Sequence, residues 1–147
     1  MRLSEVRDEL ADIIRGLVPD AHVYAWPPPA PLSPALVLVP DEPYLERITV
    51  GRDPVNVRAR FRLTALVAQI DNAGSLGRIE QLLTAAIAAL PSGIVVGPVS
   101  RPGITTVGPS DMLVADLLIE FPVELDVPAH LDPEPDPDTE PDPEDSP

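Results

Sequence analysis

The chain has 147 residues, with 24 Asp or Glu against 10 Arg, no Lys, no Cys and a formal net charge of -14. Its length suits one domain with an appendage, and the missing cysteines exclude a disulfide framework, a thiolate nucleophile and a cysteine-based zinc site. The acidic balance disfavours general nucleic-acid binding, where neutralised phosphates supply most of the affinity, and no apolar stretch approaches the ~20 residues of a membrane span.

Residues 3 to 17 read as an amphipathic helix. Leu3, Val6, Leu10, Ile13, Ile14 and Leu17 recur at three- and four-residue spacing, with Arg7, Asp8, Asp12 and Arg15 off the stripe. Gly16 and Pro19 supply the stop signal. Met1 to Glu5 lacks the apolar core of a signal peptide, so the expectation is a soluble protein made in the cytoplasm. A short extended piece, Ala21 to Trp26, leads into Pro27-Pro28-Pro29-Ala30-Pro31. That run is neither helix nor sheet interior, and is expected to cross the surface as a polyproline connector.

Ala35 to Val39 is a short apolar strand between Pro34 and Pro40. Asp41-Glu42-Pro43 has turn chemistry, so Tyr44 to Val50 is expected to return as the second arm of a hairpin. Gly51-Arg52-Asp53-Pro54 marks a further turn or loop tip. The cleanest alternation follows: Val57, Ala59, Phe61, Leu63, Ala65 and Val67 on one face, Arg58, Arg60, Arg62 and Thr64 on the other. Leu66, Ala68 and Ile70 then make the second face apolar, which predicts burial on both sides.

Asp71 to Ser75 breaks the strand, with Asn72 or Ser75 as the expected N-cap of a second helix over about 75–90. Leu76, Ile79, Leu82, Leu83, Ala86, Ile87 and Leu90 form its stripe, and Pro91-Ser92-Gly93 ends it. Ile94 to Val99 is a strand, Arg101 to Ser110 a Gly/Pro/Thr loop, and Met112 to Val127 a long last strand. Its odd positions, Leu113 to Leu125, are apolar, while Asp116, Glu120, Glu124 and Asp126 are even. Two helices with one apolar stripe each predict an α+β domain, both helices on one face of an antiparallel or mixed β-sheet with an extended hairpin.

The remaining residues, 128–147, hold eight of the acids, seven prolines and no base, so residues 1–127 keep 16 acids against ten bases, a net of -6. Such a tail buries too little apolar surface to offset its ordering entropy and is expected to be disordered. A polyproline course at ~3.1 Å per residue reaches about 60 Å. It serves either as a solubilising appendage or as a charged strap for a basic partner.

Catalytic chemistry finds little purchase. A nucleophile needs an adjacent base, and the two histidines are His22, at a strand edge, and His130, in the tail. Asp132, Glu134, Asp136 and Asp138 alternate like calcium ligands, but Pro137 and Pro143 stand where a calcium loop needs Gly and Glu. Gly74-Ser75-Leu76-Gly77 has neither dinucleotide spacing nor a phosphate-binding lysine. No enzyme activity, cofactor or metal is expected. The informative feature is the ladder Arg58, Arg60, Arg62, whose guanidinium groups repeat ~7 Å apart and need acids opposite them. It is either a solvated sheet face paired with Asp116, Glu120 and Glu124, or a subunit interface or lumen wall facing a neighbour's acids. With no aromatic beside it for base stacking, direct nucleic-acid readout is the weakest reading.

The order of elements over residues 1–127 resembles the tail-terminator (tail-completion) proteins of long-tailed bacteriophages. The matching run is the helix Leu3 to Leu17, His22-Val23-Tyr24, and the proline-rich approach to Ala35-Leu36-Val37-Leu38-Val39-Pro40. A Gly-tipped hairpin near Gly51, the strand Val57 to Ile70 flowing into the helix Leu76 to Leu90, and the closing strand Leu113 to Leu125 complete it. The resemblance implies a structural virion protein of the head–tail junction. Its subunits would form a homohexameric ring that caps the tail tube, stops polymerisation of the major tail protein and offers a surface to the head-side connector or stopper. DNA would pass the lumen without being read, an acidic conduit having no grip on it. The acidic tail is no part of that pattern. Two other classes fit the same residues: another head–tail joining protein (stopper or adaptor), and a small monomeric binding module of the host.

Overall fold

The computed structural model describes residues 2–48 and 55–127. The loop tip at Gly51-Arg52-Asp53-Pro54 and the acidic tail from residue 128, with His130 and the alternating acids, lie outside the described residues.

The first helix, α1 (Leu3–Leu17), begins where the Glu5 carboxylate accepts the Arg2 backbone N–H at 2.7 Å, occupying a donor that the first turn leaves free. It buries Val6, Leu10, Ala11 and Ile14, while Ile13 and Leu17 at the margins of the stripe remain exposed. Arg15 closes the far end by pairing with Asp12 and donating to the Val23 carbonyl at 2.7 Å, which ties the helix to β1 (His22–Tyr24).

Among the described residues the sheet has six strands. Beside β1 stand β2 (Ala35–Arg47), β3 (Val55–Ala68) and β6 (Ser110–Leu125), and beyond these β4 (Val95–Val99) and β5 (Gly103–Val107). The order is β1-β2-β3-β6-β4, with β5 also on β6. Only β1 and β2 are parallel; every other pair is antiparallel, so the sheet is mixed. β4 pairs with β6 between Leu117 and Glu120 and β5 between Ser110 and Val114, so the two follow one another along the same side of β6.

Alternation sorts the faces as predicted. Val57, Ala59, Phe61, Leu63, Ala65 and Val67 of β3 meet Leu113, Ala115, Leu117, Ile119 and Val123 of β6, and Leu36 and Leu38 of β2, in one core. Both helices cover it, α2 (Asn72–Ala89) contributing Ile79, Leu82, Leu83, Ala86 and Ala89. At one end Phe61 meets the Tyr44 ring edge-on at 5.4 Å and stacks on Phe121 at 5.9 Å. The opposite face carries a smaller cluster of Ala35, Val37, Leu66 and Met112, flanked by Tyr24, Val39, Val107 and Val114. The proline connector passes over this side: Pro31 is buried, the Leu32 N–H donates to the Tyr24 hydroxyl at 3.1 Å, and Pro29 and Ala30 lie against Gly108.

Four expectations need correction. No turn forms at Asp41-Glu42-Pro43: β2 runs on to Arg47 and pairs with β3, so Tyr44 onward is not a returning arm. The register jumps between Pro40, level with Phe61, and Leu45, level with Ala59. A bulge there absorbs Pro43, which has no N–H to give a ladder. Second, the loop expected over Arg101 to Ser110 contains β5, which hairpins onto β6 through Gly108 at φ +61. A left-handed Gly in a two-residue connection matches the strand twist, and the weak apolar content of Gly103-Ile104-Thr105-Thr106-Val107 hid the strand. Third, neither Asn72 nor Ser75 caps α2; Asp71 does, its carboxylate accepting the Gly74 N–H. Ser75 is buried, donating from Oγ to the Ala68 carbonyl at 3.2 Å and accepting from the Ile70 N–H at 3.1 Å. Fourth, the double-sided burial at the end of β3 includes Leu66 but not Ile70, which falls past the strand and is exposed.

Candidate subunit interface

The arginine ladder stands on the middle of the helix-free face, where β3 is flanked by β2 and β6. Register sets its partners: Arg60 lies level with Glu120, Thr64 with Asp116, and Arg58 with Glu46. Glu120 is shared. One carboxylate oxygen meets Arg58 Nε at 2.8 Å and the other Arg60 Nε at 3.0 Å. Arg60 Nη2 reaches Glu46 at 2.8 Å, so one guanidinium bridges β2, β3 and β6. Arg62 stands at 3.7 Å from both Asp41 and Asp116, and Thr64 donates to Asp116 at 2.6 Å. Glu124 lies level with Asn56, beyond this network.

The predicted residues therefore fall on one face, and Arg58, Arg60, Arg62, Asp116 and Glu120 come together while Glu124 does not. Two acids were missed, Asp41 and Glu46, because the expected turn at residues 41–43 took β2 away from β3. Counting back from the loop tip at Gly51-Arg52-Asp53-Pro54 would have set Glu46 against Arg58.

Three guanidinium groups face four carboxylates, Asp41, Glu46, Asp116 and Glu120. The ladder is thus neutralised within its own chain and has no excess positive charge to offer a phosphate. The hydrogen bonds that Arg60 donates, first to Glu46 and then to Glu120, raise its pKa above the ordinary value. Arg60 Nη1 is buried without a hydrogen-bond partner among the described residues. These pairs are half open to solvent, where each contributes little to stability; their effect is to hold three strands in register.

The sheet margins differ in chemistry from this centre. Along β4 and β5, Val95, Val96, Val99 and Ile104 are exposed by 40–62%. Arg101, between the two strands, is the only charged residue over 91–110 and has no ion-pair partner among the described residues. A shallow cleft beside it is lined by Leu76 of α2, Pro102, Ile104 and Leu113. His22 is exposed on β1, its backbone N–H donating to the Pro34 carbonyl at 2.9 Å. Among the described residues no three His, Cys, Asp or Glu are grouped so as to hold a metal, and no helix is long and apolar enough to cross a membrane. No protein-family model matches the chain, and no curated protein matches it.

Proposed function

We propose that this chain is a ring-forming structural subunit that ends bacteriophage tail polymerisation and joins the tail to the head. Copies assemble as a hexamer on the last ring of the tail tube, cover the surface to which further major tail protein would add, and present their other side to the head connector. DNA moves through the lumen and is not read. The observation that supports this most is the assembled order of elements. One helix, a proline-rich approach, a long β2–β3 pair running straight into α2, and a closing β6 make a single sheet with both helices on one side. The self-neutralised arginine face agrees with it, since a conduit that held phosphates would retard its cargo.

Purified chain mixed with a major tail protein that polymerises into tubes tests the reading directly. Tubes of fixed length, with this chain at one end in electron micrographs, are the expected result. Tubes that grow without limit, with the chain bound to head connectors instead, would make it a stopper or adaptor. A chain that binds neither would sink both.

A further inference from the structure

The two margins of the sheet are built differently. On one side β1 covers residues 35–37 of β2, and the rest of that strand carries Pro40, Asp41, Glu42, Pro43 and Glu46. Prolines, charges and a bulge are the usual devices that stop an edge strand pairing indiscriminately. On the other side β4 and β5 present exposed Val95, Val96, Val99 and Ile104 with a single charge, Arg101. β4 contains Pro98 and a register shift of its own between Val96 and Val99, whereas β5 has neither, so the clearest difference between the margins is charge. A two-residue hairpin makes Val107 and Ser110 a hydrogen-bonded pair, so by alternation the backbone groups of Ile104 and Thr106 point away from β6 and lack a strand partner. Asp111, the next acid, is occupied by Thr106 at 2.9 Å.

We propose that the β4–β5 edge is the docking site for the β2 edge of a second copy of this chain, joined head to tail. The proposal deepens the ring reading and rests on it. Three features select that occupant. Charge is complementary: on the β2 edge Asp41 and Glu46 are held by Arg62 and Arg60, which leaves Glu42 to face an edge whose only charge is Arg101. Glu42 is exposed and has no ion-pair partner among the described residues, which leaves it available to Arg101. Direction is correct: β2, β3, β6 and β4 alternate, so β4 runs opposite to β2. A neighbour that continues the sheet in the same sense then pairs antiparallel. Apolar groups coincide as well. Setting Arg101 against Glu42 in that sense brings Val95, Val96 and Val99 beside residues 44–48, where Leu45 and Ile48 are exposed by 40% and 44%. A contact between unlike edges repeats at every subunit, so it closes into a ring when the rotation allows. Pro98 on β4, the prolines on β2 and the β1 strand over residues 35–37 confine that ladder to β4 and the start of β5, and the ion pair fixes its register.

The test measures the mass of the full chain in solution and on capped tail tubes, across protein concentration, for the native sequence and three variants. Val96→Lys puts a charge on the bare edge, Arg101→Glu reverses its one charge, and Arg101→Glu with Glu42→Arg exchanges the pair. All sit at exposed positions, and circular dichroism checks that each is folded. Each single variant is expected to raise the dissociation constant of the ring about 10-fold or more, and the exchanged pair to recover most of that loss. Rings that form equally well with Val96→Lys and Arg101→Glu would overturn the edge contact while leaving the ring reading intact. Failure of the exchanged pair to recover assembly would overturn the choice of the β2 edge as occupant. A native chain that stays monomeric on tubes as well as in solution would overturn the ring reading and this contact together.

Discussion

The two edges of this sheet differ in strand length and above all in charge. The β2 margin is interrupted by two prolines, a bulge and three acids, and part of it is covered by β1. The β4–β5 margin, some three strands away, also has a proline and a register shift in β4, but it keeps its valines and an isoleucine open to solvent with one arginine among them. An edge strand left bare is a liability for a monomer. The contrast therefore separates a surface shaped against chance pairing from one that a specific partner should cover. The arginine ladder's charges are satisfied within the chain, whereas the β4–β5 margin has almost no charge at all.

The comparison can be broken from the centre. Phe61 is fully buried in the strand that supports both sides, between the Tyr44 and Phe121 rings. Phe61→Ala should cost about 3–5 kcal/mol in denaturant unfolding, and both edges should lose amide protection together. Loss at one edge alone would show that the margins fold independently.

Gly97→Val should strike one edge. A Cβ at Gly97 would stand 3.0 Å from Leu118 Cβ and 3.2 Å from its carbonyl oxygen, so β4 must shift away from β6. A loss of about 1–3 kcal/mol is expected. Hydrogen exchange should quicken over β4 while β2 amides keep their rates, and equal quickening in both would contradict the account.

A smaller effect is expected where β2, β3 and β6 are joined. Glu120→Gln removes the carboxylate that Arg58 and Arg60 share. Because the site is partly solvated, the expected cost is about 0.5–1 kcal/mol, shrinking as salt is added. A salt-independent loss would mean that packing, not charge, is what was removed.

The smallest effect is a pH dependence at the guarded margin. Burial raises the Tyr44 phenol pKa, and the charge of Arg7 partly opposes the shift. A group whose folded pKa lies above its unfolded one stabilises fully below the unfolded value, about 10 for tyrosine. That contribution is lost as pH rises through the folded value. Melting temperatures should therefore fall faster above pH ~10 in the native chain than in Tyr44→Phe. Parallel curves would place the alkaline sensitivity elsewhere.

Much of this architecture was legible in the residues alone. The period of the stripe in Leu3 to Leu17 and the strict alternation of Val57 to Val67 are local signals, and burial of those faces follows from them directly. Errors arose where short-range chemistry competes with partners distant in the chain. Asp41-Glu42-Pro43 reads as a turn in any local window, yet the long apolar face of β3 holds β2 alongside and the prolines are taken up as a bulge. Gly103 to Val107 reads as a loop, since a margin strand needs only one partner and little apolar content. Asp71, not Asn72 or Ser75, caps α2, because several adjacent residue types can accept the same N–H and only backbone geometry chooses among them.

Sequence by itself determined the α+β class, the two amphipathic helices, the sorting of apolar and charged residues on β3 and β6, and the place where the acidic proline tail begins. Only the tertiary structure decided which acids meet the arginines, that β5 exists, and which margin is left bare. The reason is physical. Periodicity is a property of consecutive residues and survives in a one-dimensional reading, whereas register and edge status depend on strands more than forty residues apart, such as Arg60 and Glu120, coming to lie side by side.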